Sequence, residues 1–380
     1  MSGQNNAILI LSDTLDFGGH EIAFLSFLDK LLTQAEYQTY HFIVPAENKR
    51  FIQELQSISD GRIEIIPSKF YKLRGEPYRA PFRIRYKNFI REQYNALKPK
   101  TVLLLQGRIE HLCTAALALP RCADLVSYLP MAHLMRDLRG PSFSSRLQDA
   151  LRMLYYRLPK RYIVPSNAVA AQLRENRFEG PIQVARNFVP AASSASKGDA
   201  RTELSLPQDK KIAAFIGRFD VRQKGIDLLL PLVERSTEWH FLFIGAGEYA
   251  ERIALTQKQC ASVSIVSWTE RVELYLQAID VLLLPSRYEG VPLVLLQALR
   301  AETPVMASFI DAYIEYLPAK NLSTFDSSIN LDAELDRLIA PDAASEFQVH
   351  ARRVVRDAID FDASFKSFLN GLTTNDGANS

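Results

Sequence analysis

Short apolar runs alternate with segments of helical periodicity along most of the chain, and this alternation constrains the fold more than any other feature. Strand-type runs in the first half occupy 7–11, 40–44, 63–66, 101–105, 125–129 and 161–164. A second series occupies 211–216, 239–244, 263–266, 281–284 and 303–307. Strands that alternate with helices form parallel sheets with crossover helices. The pattern therefore predicts an α/β protein of two doubly wound domains with a ligand cleft between them, at the carboxyl ends of the strands.

The two series are separated by a loose segment, 190–209, which is rich in Ala, Ser, Lys and Asp and has no sustained periodicity. We predict a linker there, between an N-terminal domain at 1–189 and a C-terminal domain at 210–355. A helix at 356–372 is expected to pack back toward the N-terminal domain. The polar tail at 373–380 is expected to be disordered.

The net charge conceals an asymmetry between the halves. The 380 residues include 45 basic and 43 acidic side chains, a formal charge of +2. Residues 1–190 contain 26 basic and 17 acidic residues, which gives +9, and the remainder contains 19 and 26, which gives −7. With 47% hydrophobic and 23% charged residues, the composition is globular and excludes disordered, collagen-like and coiled-coil chains.

The cysteines and the apolar segments favour a cytoplasmic protein. Cys113, Cys122 and Cys260 are odd in number and scattered, which argues against a disulfide framework or a zinc site. The run at 7–11 is too short for the core of a signal peptide, and no stretch approaches the roughly 20 apolar residues that span a bilayer.

The segment 216–230 places cations where a strand ends and a helix begins. Gly217 and Arg218 follow the strand, and Lys224 precedes Gly225 and the helix. Free N–H groups and the positive end of a helix dipole, together with two cations, suit a diphosphate. The alternative is a solvated loop with incidental charges.

The segment 284–300 delivers Glu289 and Gly290 into a loop at the start of a helix. The Glu289 carboxylate can accept hydrogen bonds from sugar hydroxyls, and Gly290 permits close approach of a ligand to the backbone. The N–H groups of Val291 and Leu293 can face a phosphate or a hydroxyl. Taken alone, Glu289 can equally be a helix N-terminal charge that interacts with the dipole.

Together, these segments resemble the C-terminal domain of family 4 glycosyltransferases, the retaining enzymes of the GT-B fold. Five motifs follow the order and spacing of that family: Gly217-Arg218 with Lys224-Gly225, 243–248, 265–268, Pro285-Ser286 with Glu289-Gly290, and Thr303-Pro304-Val305. The N-terminal half is similar at Gly18-Gly19-His20-Glu21, at His133 after a strand, at Val164-Pro165-Ser166 and at Arg186-Asn187. The resemblance spans about 7–310 and is tightest between 213 and 305.

The resemblance implies an enzyme that binds a nucleotide-diphosphate sugar mainly through its C-terminal domain and the acceptor through its N-terminal domain. Arg218 and Lys224 would neutralise the diphosphate and stabilise it as a leaving group, Glu289 would contact the donor sugar, and His133 would orient that sugar or support positive charge at the reaction centre. Without the family context, His133 is equally a histidine satisfied by the backbone at a strand end.

The implied donor and nucleotide site combines several loops. The first loop of the N-terminal domain would approach the phosphates or the acceptor, while 265–269 would hold the base. The implied binding residues are Gly18, Gly19, Gly217, Gly245, Gly247, Trp268, Thr269, Gly290, Val291, Pro292, Leu293 and Gln297.

The chain departs from the family pattern at three places. Gln297 stands where the E-x7-E pattern has its second glutamate, which accepts hydrogen bonds from the ribose hydroxyls, and a neutral amide accepts more weakly than a carboxylate. Val291-Pro292 replaces the commoner Phe-Gly, which would narrow the sugar pocket. Ser267 replaces a usual glycine.

The sequence indicates no metal and no other cofactor. No carboxylate is clearly placed as a covalent nucleophile, so the resemblance implies front-face transfer with retention, in which the departing phosphate helps to deprotonate the acceptor. Asp360-Phe361-Asp362 matches the DxD pattern that binds Mn or Mg in a different glycosyltransferase fold. It lies past the last strand, before a helical segment at 363–372, where an N-cap is the better interpretation.

The basic half suggests a surface partner. Cations and aromatic residues interleave between residues 69 and 100, and a second cluster runs from 136 to 161. Such a surface suits an anionic bilayer, where each Lys or Arg contributes about 1 kcal/mol. Single-stranded nucleic acid is the competing partner, but no RNA-binding signature accompanies the cluster, and a plain solvated face is the third interpretation.

The leading interpretation is a cytoplasmic retaining glycosyltransferase, peripheral on the inner face of the membrane. It would move a sugar from a nucleotide donor to a lipid-linked or surface-glycan acceptor. The alternatives are a sugar-nucleotide epimerase of the same fold and a degenerate scaffold that binds nucleotide without activity.

Overall fold

Each of the two series of apolar runs forms one parallel sheet. The computed structural model describes residues 6–34, 37–58, 60–136, 140, 142–189 and 191–373. The chain divides into two units, a first of Met1–Phe188 with Phe361–Ser380 and a second of Val189–Asp360.

The first unit is built on a seven-stranded sheet of order β3-β2-β1-β4-β5-β6-β7. Its strands are β1 (Ala7–Leu11), β2 (Thr39–Pro45), β3 (Ile63–Ser68), β4 (Thr101–Leu105), β5 (Leu125–Tyr128), β6 (Arg161–Val164) and β7 (Ile182–Val184). Its helices are α1 (Gly19–Gln34), α2 (Lys49–Ser57), α3 (Glu76–Arg79), a 3-10 turn (Ala80–Phe82), α4 (Ile84–Leu97), α5 (Cys113–Ala118), α6 (Phe143–Tyr156) and α7 (Asn167–Glu175). All five residues of β1 are buried, as expected for a central strand with helices on both faces.

The second unit is built on a six-stranded sheet of order β10-β9-β8-β11-β12-β13. Its strands are β8 (Lys211–Ile216), β9 (Trp239–Ile244), β10 (Val263–Val266), β11 (Val281–Leu284), β12 (Val305–Ser308) and β13 (Leu322–Ser323). Its helices are α8 (Lys197–Glu203), α9 (Val221–Lys224), α10 (Ile226–Val233), α11 (Ala250–Gln259), α12 (Val272–Ala278), α13 (Leu293–Arg300), α14 (Asp311–Ile314), a 3-10 turn (Ala319–Asn321), α15 (Leu331–Ile339) and α16 (Pro341–Ala358).

The predicted fold class, two doubly wound α/β sheets, is confirmed. Every run predicted as a strand is a strand, within two residues at each end. The prediction missed β7 and β13, which have three and two residues. Strands this short carry no recognisable periodicity.

The segment predicted as a linker is, in its described part, a structured piece of the second unit. Residues 197–203 form α8, which Ser196 caps by accepting the N–H of Asp199. Arg201 is buried and donates to the carbonyl of Ala278 at 2.8 Å and to Asp280 at 2.7 Å. The linker prediction was therefore wrong for these residues. The helix was missed because two turns are too short to show a periodic pattern in the sequence.

The chain returns to the first unit with its last helix, α17 (Phe361–Leu372). The ring of Phe368 stacks on Phe27 of α1 with centroids 4.5 Å apart, and Arg161 donates to the carbonyls of Gly371 and Leu372 at 2.6 and 2.7 Å. Residues 356–358, predicted to start this helix, instead end α16. In the segment predicted to be disordered, the N–H of Thr373 donates to the carbonyl of Leu369. The rest of that segment, 374–380, lies outside the described residues.

Asp360-Phe361-Asp362 lies at the start of α17. Asp360 directly precedes the helix, which is the N-cap position. Asp362 forms an ion pair with Lys30 of α1. Asp362 therefore helps to hold α17 against α1.

Candidate functional site

The cations predicted to bind a diphosphate lie where the strand order of the second sheet reverses. β8 and β11 are neighbours, with β9 and β10 on one side and β12 and β13 on the other. At such a switch point, the loops that follow the two central strands leave in opposite directions and open a crevice. Arg218 and Lys224 follow β8, and Glu289 follows β11.

The two loops approach each other closely at Gly225. Its φ is +63°, and a Cβ atom at this position would lie 2.1 Å from the carbonyl oxygen of Pro285. Only glycine combines this backbone conformation with that contact. Because Lys224 precedes Gly225 and Pro285 lies four residues before Glu289, the contact brings the lysine and the glutamate together.

Glu289 accepts from three side chains. Lys224 Nζ lies 2.6 Å from its Oε1, Ser286 Oγ donates to Oε1 at 3.1 Å, and Gln223 Nε2 donates to Oε2 at 3.1 Å. The Glu289 and Lys224 side chains are only 6% and 16% exposed. A carboxylate this buried is stable as an anion only when it is paired and hydrogen-bonded, as it is here.

Arg218 joins the same network from the exposed side. Its Nη2 donates to Gln223 Oε1 at 3.1 Å, so the Gln223 amide bridges Arg218 and Glu289 with a fixed orientation. Lys224 thus pairs with the Glu289 carboxylate directly, whereas the exposed Arg218 reaches it only through the neutral amide of Gln223. The guanidinium of Arg218 is therefore available to an anionic group at the edge of the sheet.

Sequence reasoning missed the residues that support this network. Gln223 lies in the segment 216–230 and Ser286 in the segment 284–300. The signal that could have identified them is a hydrogen-bonding side chain close in sequence to Lys224 and to Glu289. Tyr313, which no sequence signal marks, is fully buried and donates its hydroxyl to Ser286 Oγ at 2.9 Å. Burial, and next the charge of Glu289, raise the pKa of Tyr313 well above its usual value, so it acts as a neutral donor.

Gly217, Gly245 and Gly247 lie at the same edge, where the loops after β8 and β9 meet. Gly245 has φ +146°, and a Cβ there would lie 2.0 Å from the carbonyl oxygen of Gly217. The N–H of Phe219 donates to the carbonyl of Ala246 at 2.8 Å. A Cβ at Gly247 would lie 2.6 Å from the carbonyl oxygen of Phe219. Gly245 and Gly247 therefore have a packing role, and the approach of all three glycines to a nucleotide stays a prediction.

The segment Gly290, Val291, Pro292 and Leu293 leads into α13. The Val291 side chain is buried in the core, and Pro292 occupies the N-cap position. Gln297, on the same helix, donates from Nε2 to Oε1 of Glu273 on α12 at 2.8 Å. The carboxylate of Glu273 therefore lies beside Gln297, the position at which the family pattern has a glutamate.

Trp268 and Thr269 follow β10. Trp268 is 59% exposed, which is unusual for a side chain of this size. Thr269 Oγ1 accepts the N–H of Arg271 at 3.1 Å and so shapes the turn that carries Trp268. The exposed indole offers a face on which a base can stack.

The remaining predicted residues, Gly18, Gly19 and His133, belong to the first unit. The N–H of Gly18 donates to Oε2 of Glu21 at 2.9 Å, and Thr14 donates to Oε1 of the same buried carboxylate at 2.7 Å. His133 is partly buried in the loop after β5. The adjoining N–H of Met135 donates to Asp149 at 2.6 Å, which holds that loop to α6.

The described residues contain neither a cluster of metal-binding side chains nor a helix suited to cross a membrane. No group of three or more His, Cys, Asp or Glu side chains is arranged to hold a metal ion there. In the same part of the chain, no helix is both long enough and apolar enough to cross a membrane.

Comparisons with known proteins place the second unit in a family. Residues 210–347 match the family described as glycosyl transferases group 1, so this unit contains a glycosyl transferases group 1 domain. The lipopolysaccharide core biosynthesis glycosyltransferase LpsE of Rhizobium meliloti is 25% identical over 189 residues, 48% of this chain and 55% of LpsE. The O-antigen biosynthesis glycosyltransferase WclY of Escherichia coli is 29% identical over 133 residues, 34% of this chain and 37% of WclY. The matched regions thus span about half or less of these relatives.

Solved structures extend the likeness to the whole fold. The Anabaena protein Alr3699/HepE, solved in complex with UDP-glucose, superposes with a TM-score of 0.72 over 96% of this chain and 98% of that one, at 14% identity. Both units therefore follow the architecture of GT-B glycosyltransferases, as the sequence predicted.

Proposed function

We propose that this chain is a retaining glycosyltransferase of family 4. It moves a sugar from a nucleotide-diphosphate sugar to a lipid-linked or surface-glycan acceptor and needs no metal ion. The observation that carries the proposal is the network of Arg218, Gln223, Lys224 and Glu289 at the switch point of the second sheet. The named relatives act in lipopolysaccharide core and O-antigen biosynthesis, which supports the acceptor class.

The two cations bind the donor diphosphate in this proposal. Lys224 is held by Glu289 and Arg218 by Gln223, so neither has to be ordered when the donor arrives. Preorganised charges of this kind stabilise the negative charge that develops in the transition state more than flexible ones do. The first-turn N–H groups of α13 add further donors.

The chemistry is a front-face transfer. The bond from the anomeric carbon to the phosphate oxygen breaks, and its electron pair stays on the nucleotide diphosphate beside Arg218 and Lys224. The acceptor oxygen bonds to the same face of the sugar, and its proton passes to the departing phosphate. Glu289 is a poor candidate for a covalent nucleophile, because its carboxylate is buried and already accepts from three side chains.

The nucleoside is held by the edge of the second sheet. Trp268 stacks on the base, with Thr269 shaping its turn. Glu273, oriented by Gln297, accepts hydrogen bonds from the ribose hydroxyls and supplies the negative charge that Gln297 itself lacks. The solved complex of the Anabaena protein with UDP-glucose supports a UDP-sugar as one donor to test.

The first unit contacts the inner face of an anionic membrane in this proposal. Phe82 and Phe143 are 81% and 85% exposed, and Leu147 and Leu154 continue an exposed apolar stripe along α6. Exposed cations flank the apolar residues at Arg79, Arg85, Arg146 and Arg157. The hydroxyl of Tyr155 donates to the carbonyl of Pro77 at 2.6 Å, which holds α6 against α3. Exposed apolar side chains with cations close to them in sequence are typical of peripheral membrane proteins.

Purified protein incubated with UDP-, GDP- and dTDP-sugars tests the enzymatic proposal. We expect nucleotide release with one donor class, in EDTA as well as without it. Absence of both binding and release across the panel would favour a degenerate scaffold, while conversion of the donor to its epimer would favour an epimerase.

Sedimentation with vesicles tests the membrane contact. We expect binding to vesicles with phosphatidylglycerol and several-fold less binding by the double variant Phe143→Ser, Leu147→Ser. Equal, negligible binding of the wild type to anionic and neutral vesicles would rule the contact out.

A further inference from the structure

The helix α6 of the first unit buries side chains with hydrogen-bonding groups and exposes apolar ones. Its buried side chains are Ser145, Asp149, Arg152, Tyr155 and Tyr156, whereas Phe143, Leu147 and Leu154 are exposed. A surface helix normally buries its apolar stripe, and a buried carboxylate is costly unless it is hydrogen-bonded. The partners of Asp149 therefore indicate what the inner face of α6 holds.

Asp149 binds the loop that follows β5. Its Oδ1 accepts the N–H of Met135 at 2.6 Å, and its Oδ2 accepts the N–H of Arg136 at 3.2 Å. Hydrogen bonds from backbone N–H groups to a carboxylate are stronger than those between neutral groups. Both oxygens of one buried side chain thus fix two adjacent residues of the loop to α6.

Asn176 binds the same loop from the end of α7. It is fully buried, and its Nδ2 donates to the carbonyl of Ala132 at 2.8 Å and to the carbonyl of Gln172 at 2.8 Å. The bond to Gln172 lies within its own helix and orients the amide, while the bond to Ala132 reaches across to the loop. The loop is therefore anchored to two different helices.

The two anchors bracket His133. Ala132 directly precedes the histidine, and Met135 follows it by two residues. His133 and Leu134 alone lie between the anchored residues, and the Leu134 side chain is buried. A stretch this short that is fixed at both ends keeps little backbone freedom, so the anchors set the position from which the His133 side chain extends.

We propose that Asp149 and Asn176 are positioning residues of the transfer reaction, which fix His133 through the backbone on its two sides. This inference rests on the proposed transfer reaction and on the role at the donor sugar that the family resemblance gives His133. In the proposed reaction His133 contacts the sugar, whereas Asp149 and Asn176 act through His133. A displacement of about 1 Å in such a group can lower a rate about 100-fold.

Asp149→Asn tests the anchor on α6. The substitution keeps the shape of the side chain but replaces one acceptor oxygen with a donor, which then faces a backbone N–H. We expect kcat to fall by roughly tenfold to 100-fold. The KM for the donor should stay within about threefold, because the contacts proposed for the diphosphate and the nucleoside lie in the second unit.

A double-mutant cycle with His133→Ala distinguishes positioning from a merely structural role. His133→Ala alone should lower kcat by about 100-fold, and Asp149→Asn added to it should change kcat by less than about twofold, since no imidazole is left to position. A structural role that is independent of His133 would instead lower kcat by the same factor in both backgrounds.

Tyr155→Phe is the matched control on the same helix. It removes the buried hydrogen bond from α6 to the carbonyl of Pro77 and leaves both anchors of the loop in place. Its kcat should remain within about twofold of the wild type. Hydrogen exchange of the Met135 and Arg136 amides on the full chain should be at least tenfold faster in Asp149→Asn and unchanged in Tyr155→Phe.

Asn176→Ser tests the second anchor independently. It removes the amide that binds Ala132, and it should show the same loss of kcat and the same absence of a further effect in the His133→Ala background. Circular dichroism establishes that each variant is folded, and if Asp149→Asn does not fold, Asn176→Ser carries the cycle.

Wild-type kcat in the folded variants of both anchors, equal factors in the two backgrounds, or wild-type kcat in His133→Ala would each overturn the inference while the transfer reaction stands. Failure of the proposed function is seen separately, as absence of turnover by the wild type with every donor, and the inference falls with it.

Discussion

The pair of Lys224 and Glu289 should be strongly coupled in the stability of the second unit. At 2.6 Å and an effective dielectric constant of 20, the gross attraction is about 6 kcal/mol. Desolvation of two largely buried charges offsets much of it, so the pair as a whole contributes little. Removal of one partner leaves the other charge unpaired and should cost roughly 3 kcal/mol, because Lys224 keeps some access to water.

A double-mutant cycle measures this coupling. Lys224→Met and Glu289→Gln remove the charges with little change in shape, and the double variant should be about 2 kcal/mol more stable than the sum of the single effects predicts. Both tryptophans of the chain, Trp239 and Trp268, lie in the second unit, and Trp239 is buried. Urea unfolding followed by tryptophan fluorescence therefore reports on this unit alone.

Arg287 and Asp227 supply the comparison pair. They make a bidentate ion pair at 2.7 and 2.8 Å in the same unit, but both side chains are substantially more exposed. Their coupling should be below about 1 kcal/mol. If Lys224 and Glu289 behave additively, or no more strongly coupled than this surface pair, the reasoning that makes Glu289 the anchor of Lys224 is refuted.

Three further outcomes follow from the structure. Gly225→Ala should destabilise the second unit by about 2 kcal/mol or more, because its Cβ would lie 2.1 Å from the carbonyl oxygen of Pro285. Gly198→Ala, whose Cβ has no neighbour closer than 3.9 Å, should be neutral or stabilising. Equal stabilities of the two variants, measured by fluorescence, would contradict this. Burial, and next the charge of Glu76, raise the pKa of Asp13 to about 7, so the stability that this group contributes is full below pH 3.8 and is lost as the pH rises to about 7. Calorimetry should show the stability of the wild type relative to Asp13→Asn falling by up to about 1.4 kcal/mol per pH unit in that window, and a flat difference would argue against a buried carboxyl group there. Glu273→Gln should weaken binding of the cognate nucleoside diphosphate by roughly tenfold in calorimetric titration, while the 2′-deoxy nucleotide should be affected far less; an equal loss for both would remove Glu273 from the ribose.

The sequence predicts the sheets well, because a buried parallel strand is a continuous apolar run. The functional residues in the loops that follow β8 and β11 could also be predicted, since Gly225 and Glu289 lie in motifs with fixed spacing. The contribution of Tyr313 could not be predicted, because its hydroxyl reaches Ser286 from a helix that follows another strand. Asp13 and His111 lie 98 positions apart in the chain and meet only because β1 and β4 are neighbours. Local patterns identify elements, whereas side chains supplied by separate loops become a site only when the strand order is known.

Gly245 and the segment 197–203 show a similar limit. Gly245 was predicted to admit a nucleotide, yet its contact with the carbonyl of Gly217 already requires glycine. Residues 197–203 were assigned to a linker, yet one buried arginine fixes them as a helix. A residue type that suits a ligand can also be required by packing, and the sequence alone does not distinguish the two.

The central claim is that Arg218 and Lys224 stabilise the departing nucleotide diphosphate, and its most direct test is the rate of sugar transfer by Lys224→Ala and Arg218→Ala. With the donor that the wild type cleaves, kcat should fall by roughly 100-fold to 1,000-fold in each variant. Arg222→Ala, which removes an exposed arginine from the same short helix, should remain within about threefold of the wild type. Transfer at the wild-type rate by both Lys224→Ala and Arg218→Ala would contradict the account.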